Sequence, residues 1–150
     1  MQLTDKQIDL IVHHFIVAAI WADVPDTEEF EGVHIEADDE ARAKVRAGVV
    51  AFYAEHAALV HAALSAPGYG DACAQDFGGE RRDEWPFAAF GHDLYLTTQG
   101  HGVGFWDRVE LEPGSIGAKL TNACDYLEQR GKPWIFDVDF DAERGRVIFY

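Results

Sequence analysis

The chain has 150 residues, which suits a single domain with a core large enough to need no disulfide or metal. Its 27 acidic and 12 basic residues give a net charge of −15 at neutral pH, and an apolar fraction of 48% excludes a disordered chain. A surface this negative repels nucleic-acid phosphates, so we expect no direct nucleic-acid binding and favour a basic protein surface as partner. Solubility, or a high-salt host, explains the same acidity.

The cysteines and the apolar stretches indicate a cellular compartment. Cys73 and Cys124 are too few for a secreted disulfide scaffold, and their spacing matches no zinc pattern. The N-terminus is polar, and the longest apolar stretch, 15–22, is too short to span a bilayer. We therefore expect a cytoplasmic protein with no membrane contact and no cofactor, and the oligomeric state stays open.

Two helices are predicted in the first half of the chain. Thr4 and Gln7 form a capping box, and the apolar residues that follow recur at helical spacing, which predicts a helix over about 5–22. A second helix, capped by Asp38 or Asp39, is expected to run to about Leu64.

The next segment, 65–86, is rich in Gly and Pro and predicts a long loop. Phe77, Trp85 and Phe87 are expected to anchor this loop on the domain. Cys73 lies within it and is the one plausible reactive thiol, although no basic neighbour is evident.

The segment 91–108, GHDLYLTTQGHGVGFWDR, predicts a tight β-hairpin. Gly100 and His101 fit a type II′ turn, since glycine suits its first position. The resulting register gives an apolar core face that comprises Leu94, Leu96, Val103 and Phe105. The opposite face carries two cross-strand pairs, Tyr95 with Trp106 and Asp93 with Arg108.

A third helix and a second hairpin complete the predicted fold. Ser115 is expected to cap a helix whose apolar stripe reaches Leu127, and alternation predicts strands over 134–141 and 146–150. The expected fold class is therefore α+β. Three helices pack on an antiparallel sheet of about four strands, built from two β-hairpins, in one domain over residues 1–150.

Four residues of the first predicted hairpin are of types that serve acid–base or metal chemistry: His92, Asp93, His101 and Asp107. They support the hypothesis of a small hydrolase or metal-dependent enzyme. Strand geometry argues against one shared site, because His92 lies about 30 Å from the turn at His101. No dense zinc-ligand spacing is present, so no metal site is predicted.

Acidic residues concentrate in two segments. Residues 23–40 hold nine carboxylates and no Lys or Arg, and Asp residues alternate along the last predicted hairpin. Such rows imitate the phosphates of DNA, or they form a solvated face that discourages aggregation. The predicted partner-binding residues are Glu28, Glu29, Glu31, Asp38, Asp39, Asp137, Asp139, Asp141 and Glu143, with Tyr95 and Trp106 as a second contact.

The segment 91–108 also resembles the motif GHDFWLTRNGHGAGFWDR of a family of small, largely uncharacterised proteins encoded by bacteriophages, plasmids and bacterial genomes. The matching residues are Gly91, His92, Asp93, Leu96, Thr97, Gly100, His101, Gly102 and Gly104 through Arg108, whereas Tyr95, Thr98 and Gln99 differ. The apolar residues 15–21 and the terminal residues 146–150 resemble that family's helix end and chain end.

The resemblance implies a mobile-element protein that is free in the bacterial cytosol, and it brings no catalytic role with it. Small acidic proteins in that setting often inhibit host defence proteins or nucleases. The resulting hypothesis is an anti-CRISPR or antirestriction factor that binds a nucleic-acid-binding host complex, with DNA mimicry as one mode of binding. A structural or accessory phage protein is a further alternative.

Overall fold

A computed structural model describes residues 2–73 and 81–150, with only the backbone of Cys73. Within these residues the chain forms four α-helices and one two-stranded sheet, joined by turns and short 3-10 helices. The main elements are α1 (Asp5–Asp23), α2 (Asp39–Leu64), α3 (Trp85–Thr98), α4 (Ile116–Ala123), β1 (Val138–Asp141) and β2 (Arg146–Phe149).

The two N-terminal helices confirm the predictions from capping and periodicity. The hydroxyl of Thr4 accepts the backbone N–H of Gln7 at 3.2 Å, and the Gln7 side chain accepts the Thr4 N–H at 2.9 Å. At the start of α2, the Asp38 carboxylate accepts the N–H of Ala41 at 2.8 Å. Both helices therefore begin where a side chain satisfies a backbone donor.

The prediction of three helices on a four-stranded sheet is wrong, because residues 91–108 do not form a hairpin. Their first part belongs to α3, and a loop with a 3-10 turn at Phe105–Asp107 follows. Leu94, Tyr95 and Leu96 are consecutive and all buried, so α3 is surrounded by protein on several sides. A helix buried in this way has no single apolar stripe, and alternating residues on it imitate a strand.

The third predicted helix is present as α4, but its ends differ from the prediction. Ser115 has a positive φ of 56° and its side chain makes no capping bond. The helix stops at Ala123. The Asp125 carboxylate beyond it accepts the N–H groups of Leu127 and Glu128 at 3.0 and 2.9 Å. This local bonding competes with the helix and leaves Leu127 exposed.

The C-terminal hairpin is confirmed, since β1 and β2 pair antiparallel, although β1 begins at Val138 and not at residue 134. On the other edge of β2, Glu36 donates its N–H to the Gly145 carbonyl at 2.9 Å and accepts the Val147 N–H at 3.0 Å. The acidic connection 23–40 is thus fastened to the acidic hairpin, although the two are far apart in sequence.

Part of the predicted loop 65–86 differs as well. Trp85 and Phe87 lie in the first turn of α3, while Phe77 and the Cys73 side chain fall outside the described residues. The earlier turns of this segment place Tyr69 in the core.

By length and composition, α2 is apolar enough to cross a bilayer, with a mean hydropathy of 1.3 over its best window. A third of that window is buried inside the fold, and core helices of soluble proteins meet the same criterion. This finding is consistent with a soluble protein.

The core depends on a close crossing of α1 and α3. Gly91 faces α1, and a Cβ built there would overlap the carbonyl oxygen of Ile11 and lie 2.9 Å from the backbone nitrogen of Phe15. Glycine is therefore required by the approach of two backbones and not by a hairpin.

Replacing Gly91 with alanine is expected to lower the free energy of unfolding by about 3 kcal/mol, since the added methyl must push the helices apart. Urea denaturation measures the change. Gly32→Ala is the control, because Gly32 has a φ of +71° but open space around it; strain alone should cost about 1 kcal/mol there. Equal losses in the two variants would contradict the crossing.

Candidate functional site

The carboxylate of Asp93 is fully buried, with 0% exposure. Arg108 donates to it in a fork, from Nε at 3.0 Å to each oxygen and from Nη2 at 2.6 Å to Oδ1. Tyr69 donates its hydroxyl to the carboxylate at 2.7 Å. Burial raises the pKa of the Asp93 carboxyl, and the bonds from Arg108 and Tyr69 oppose that rise. Asp93 and Arg108 do pair, but from a helix to a loop instead of across two strands.

A second set of contacts holds the loop after α3 against the helix. Thr97 donates its hydroxyl to the Asp93 carbonyl at 2.6 Å and accepts the N–H of Phe105 at 3.2 Å. Gly104 has a φ of +132°, and a Cβ there would overlap the Thr97 hydroxyl. These contacts place the Phe105 ring in the core and leave its neighbour Trp106 outside.

His92 lies on α3 beside His14 of α1. Its ring centroid is 5.6 Å from that of His14. Burial is the main cause that lowers the pKa of His92 to about 4, and electrostatic repulsion from His14 and Arg108 acts in the same direction. His92 is therefore neutral near pH 7, which suits a packed ring better than a general acid.

His101 is part of a different arrangement, at the end of α1. The Nε2 atom of His101 lies 2.9 Å from a carboxylate oxygen of Asp23, and Tyr95 donates its hydroxyl to that same oxygen. The side chains of His101 and Asp23 are 30% and 29% exposed. Burial raises the pKa of the Tyr95 hydroxyl, so it stays a proton donor.

A cleft of about 380 Å³ opens beside His101. We name it the α3–α4 cleft, because the end of α3, the loop that follows and the end of α4 form its walls. Its lining residues are Leu96, Thr97, Thr98, Gly100, His101, Gly102, Val103, Trp106, Thr121, Asp125, Tyr126 and Leu127. The Thr97 and Thr121 hydroxyls both donate to backbone carbonyls, so neither is poised as a nucleophile.

The structure does not bring the four residues of the enzyme hypothesis together. Asp93 is bonded to Arg108, the His92 ring lies tilted beside that of His14, His101 contacts Asp23, and Asp107 is exposed. Within the described parts of the chain, no group of three or more His, Cys, Asp or Glu side chains could hold a metal ion. The burial of Cys124 raises the pKa of its thiol, which makes it a packing residue.

The predicted Tyr95–Trp106 contact surface is also wrong. Tyr95 is buried in the core, with its ring edge-on to Phe15 at 5.1 Å, whereas Trp106 is exposed. The strand register that paired the two rings does not exist, and only Trp106 is available to a partner.

Two of the predicted acidic contacts are bound within the protein. Asp38 and Asp141 approach Arg146 at 3.3 and 3.7 Å, from either side of β2. The N–H of Ala41 and the charge of Arg146 hold the pKa of Asp38 below its usual value against a smaller effect of desolvation. Asp39 pairs loosely with Arg42 at 3.8 Å. Of these carboxylates, Asp38 fastens the acidic connection to the hairpin through Arg146.

The other acidic residues stay open to solvent. Asp137 accepts the Tyr126 hydroxyl at 2.7 Å, which raises the pKa of that tyrosine. Five of the predicted partner-binding carboxylates are exposed and have neither an ion pair nor a hydrogen bond from another side chain in the described structure, and we name them the open carboxylates: Glu28, Glu29, Glu31, Asp139 and Glu143.

No protein-family model, no curated protein and no solved structure matches the chain. The resemblance of residues 91–108 to the phage and plasmid family stays a prediction.

Removing Arg108 is expected to cost much more stability than removing a surface arginine. Arg108→Ala leaves the Asp93 charge buried without its main partner, which should lower the free energy of unfolding by about 3–5 kcal/mol. Arg46→Ala is the matched control, since Arg46 pairs with Asp5 and Asp9 at an exposed site; its loss should stay below about 1 kcal/mol. The measurement is urea denaturation at neutral pH.

The double variant Asp93→Leu/Arg108→Met tests whether the unpaired charge of Asp93 causes the loss of stability in Arg108→Ala. It should recover much of the stability lost in Arg108→Ala, because no buried charge remains. Similar losses for Arg108→Ala and Arg46→Ala would show that Asp93 does not depend on its partner.

The pKa of His92 gives a signed pH dependence. The pKa is about 4 in the folded chain, whereas its ordinary value is 6.5. As the pH falls, the unfolded chain therefore takes up a proton at a higher pH than the folded chain does. The stabilisation from neutral His92 is complete above pH 6.5 and is lost as the pH falls toward 4, by about 3 kcal/mol. We expect His92→Gln to lose less stability than the parent between pH 7 and about pH 4.5.

The control is His34→Gln, because His34 is exposed. It should keep the pH dependence of the parent in the same urea titrations. If the free energy of unfolding changed with pH equally in His92→Gln and in the parent, the assignment of this dependence to His92 would be refuted.

Proposed function

We propose that this chain is an acidic inhibitor protein that binds the basic, nucleic-acid-binding surface of a bacterial defence protein. The observation that carries the proposal is the fastening of the two acidic segments to opposite edges of one strand, β2, by Glu36 and Arg146. An anti-CRISPR or antirestriction role is the form of inhibition that fits a mobile-element protein. The cytoplasmic setting belongs to the same proposal.

Electrostatics supports this reading of the acidic segments. Residues 23–40 contribute no Lys or Arg, and only Arg144 and Arg146 offset the acids of the hairpin. Exposed carboxylates that lack cationic partners repel one another in the free protein. They gain energy together when a basic groove replaces water and counter-ions, which favours both rate and specificity of association.

The geometry favours binding over catalysis. Asp93 is occupied by Arg108 and Tyr69, and His92 is kept neutral in a packed environment. The hydrolase hypothesis thereby loses two of its four residues, and its remaining residues, His101 and Asp107, are not assembled with a nucleophile in the part of the chain that the structure describes. No contact among the described residues favours a structural or accessory phage role.

The proposal is tested in bacteria that carry a restriction system and a CRISPR system directed at one test phage. Expression of the chain should raise the plating efficiency of that phage, because the inhibited nuclease no longer cuts its DNA. The triple variant Glu28→Gln/Glu29→Gln/Glu31→Gln should lose most of this effect. Purified nuclease should show inhibition that duplex DNA relieves and that weakens as salt shortens the screening length below about 10 Å.

The matched control removes the same charge elsewhere, through Asp71→Asn/Asp83→Asn/Glu112→Gln at exposed positions. It should inhibit as the parent does. Unchanged plating with the parent, or equal loss in the two triple variants, would overturn the proposal.

A further inference from the structure

The α3–α4 cleft presents apolar surface that the fold leaves uncovered. Val103, Trp106 and Leu127 line it and are 42%, 55% and 80% exposed. Trp106 and Val103 belong to the loop that the Asp93–Arg108 pair holds in place, so the backbone that carries the Trp106 indole has a fixed position. Exposed apolar residues that gather around one cleft indicate a binding surface.

One carboxylate lines this cleft, that of Asp125, and no Lys or Arg occurs among its described lining residues. Two further lining residues, His101 and Tyr126, hydrogen-bond to the carboxylates of Asp23 and Asp137, which do not line the cleft themselves. A cation that enters therefore meets the Asp125 carboxylate directly, and the other two only through these lining residues.

One carboxylate oxygen in the cleft is available to a donor. The Oδ1 atom of Asp125 accepts the N–H groups of Leu127 and Glu128, which fixes the orientation of the side chain. Within the described residues, no donor is bonded to its other oxygen, Oδ2. A carboxylate held in this way is pre-organised to receive a hydrogen bond from a ligand.

We infer that the α3–α4 cleft binds an arginine side chain of the partner protein. The inference rests on the proposed function in taking that partner to be a basic protein surface. The arginine stem packs against Val103 and Leu127, its planar guanidinium stacks on the Trp106 ring, and its N–H groups reach Asp125. An apolar side chain would leave the carboxylates unused, and an acidic one would be repelled by them.

The test uses three capped peptides, acetyl-Gly-Ile-Arg-Ile-Gly-amide and its analogues with Gln or Glu at the centre. Binding is followed by NMR through the indole N–H resonance of Trp106, assigned by its loss in Trp106→Phe. The arginine peptide should bind at least about fivefold more tightly than the glutamine peptide. The glutamate peptide should bind more weakly than either.

Two variants locate the binding. Trp106→Ala and Leu127→Ser should each weaken binding of the arginine peptide, the first by about tenfold. Both residues are well exposed, so the variants are expected to fold, and circular dichroism checks this. Trp21→Ala is the control, since Trp21 is 77% exposed but lies outside the cleft. Equal affinity for the arginine and glutamine peptides, or unchanged binding in both cleft variants, would overturn the inference.

The outcomes separate this inference from the proposed function. If phage protection needs the carboxylates of 28–31 but survives Trp106→Ala and Leu127→Ser, the inhibitor function stands and the arginine site falls. If the arginine peptide binds the cleft but the chain protects no phage, the site stands and the inhibitor function falls.

Discussion

The buried charge of Asp93 determines how the second half of the chain is arranged. A carboxylate in the core is tolerated only with partners that bond both of its oxygens, and these come from two other segments. Tyr69 lies in the turns after α2, and Arg108 follows the loop that leaves α3. Their convergence folds that loop back onto the helix, with Phe105 inside and Trp106 outside. One buried ion pair thus positions the loop that forms one wall of the cleft.

The sequence predictions are accurate where the interactions are local in sequence, and they fail where the interactions join distant segments. Capping at Thr4 and Asp38 and the alternation of the C-terminal hairpin are local signals, and the corresponding elements are confirmed. α3 was predicted as strand because its burial on several sides erases helical periodicity. The contact of His101 with Asp23 could not be predicted, because 78 residues separate the two and no local pattern relates them.

The motif in 91–108 divides into two classes of residue. Gly91, Asp93, Thr97 and Gly104 meet requirements of close packing and of a buried charge, so any chain with this fold would need them or equivalents. Trp106 meets no such requirement and faces solvent. The polar residues of the motif are the ones to which site chemistry is most easily assigned, yet they serve the fold. The residue that remains for recognition is the apolar Trp106.

The fastening of residue 36 to β2 has a consequence for the order of folding. Arg146 and Asp38 are separated by 108 positions, so the contacts that join the acidic segments close a loop of most of the chain. Such closure is slow, because its entropic cost is met before the contacts form. The helices can assemble while the chain is still being synthesised, but the joined acidic segments cannot. Truncation before Val147 would therefore leave the acidic connection unfastened, whatever the state of the helices.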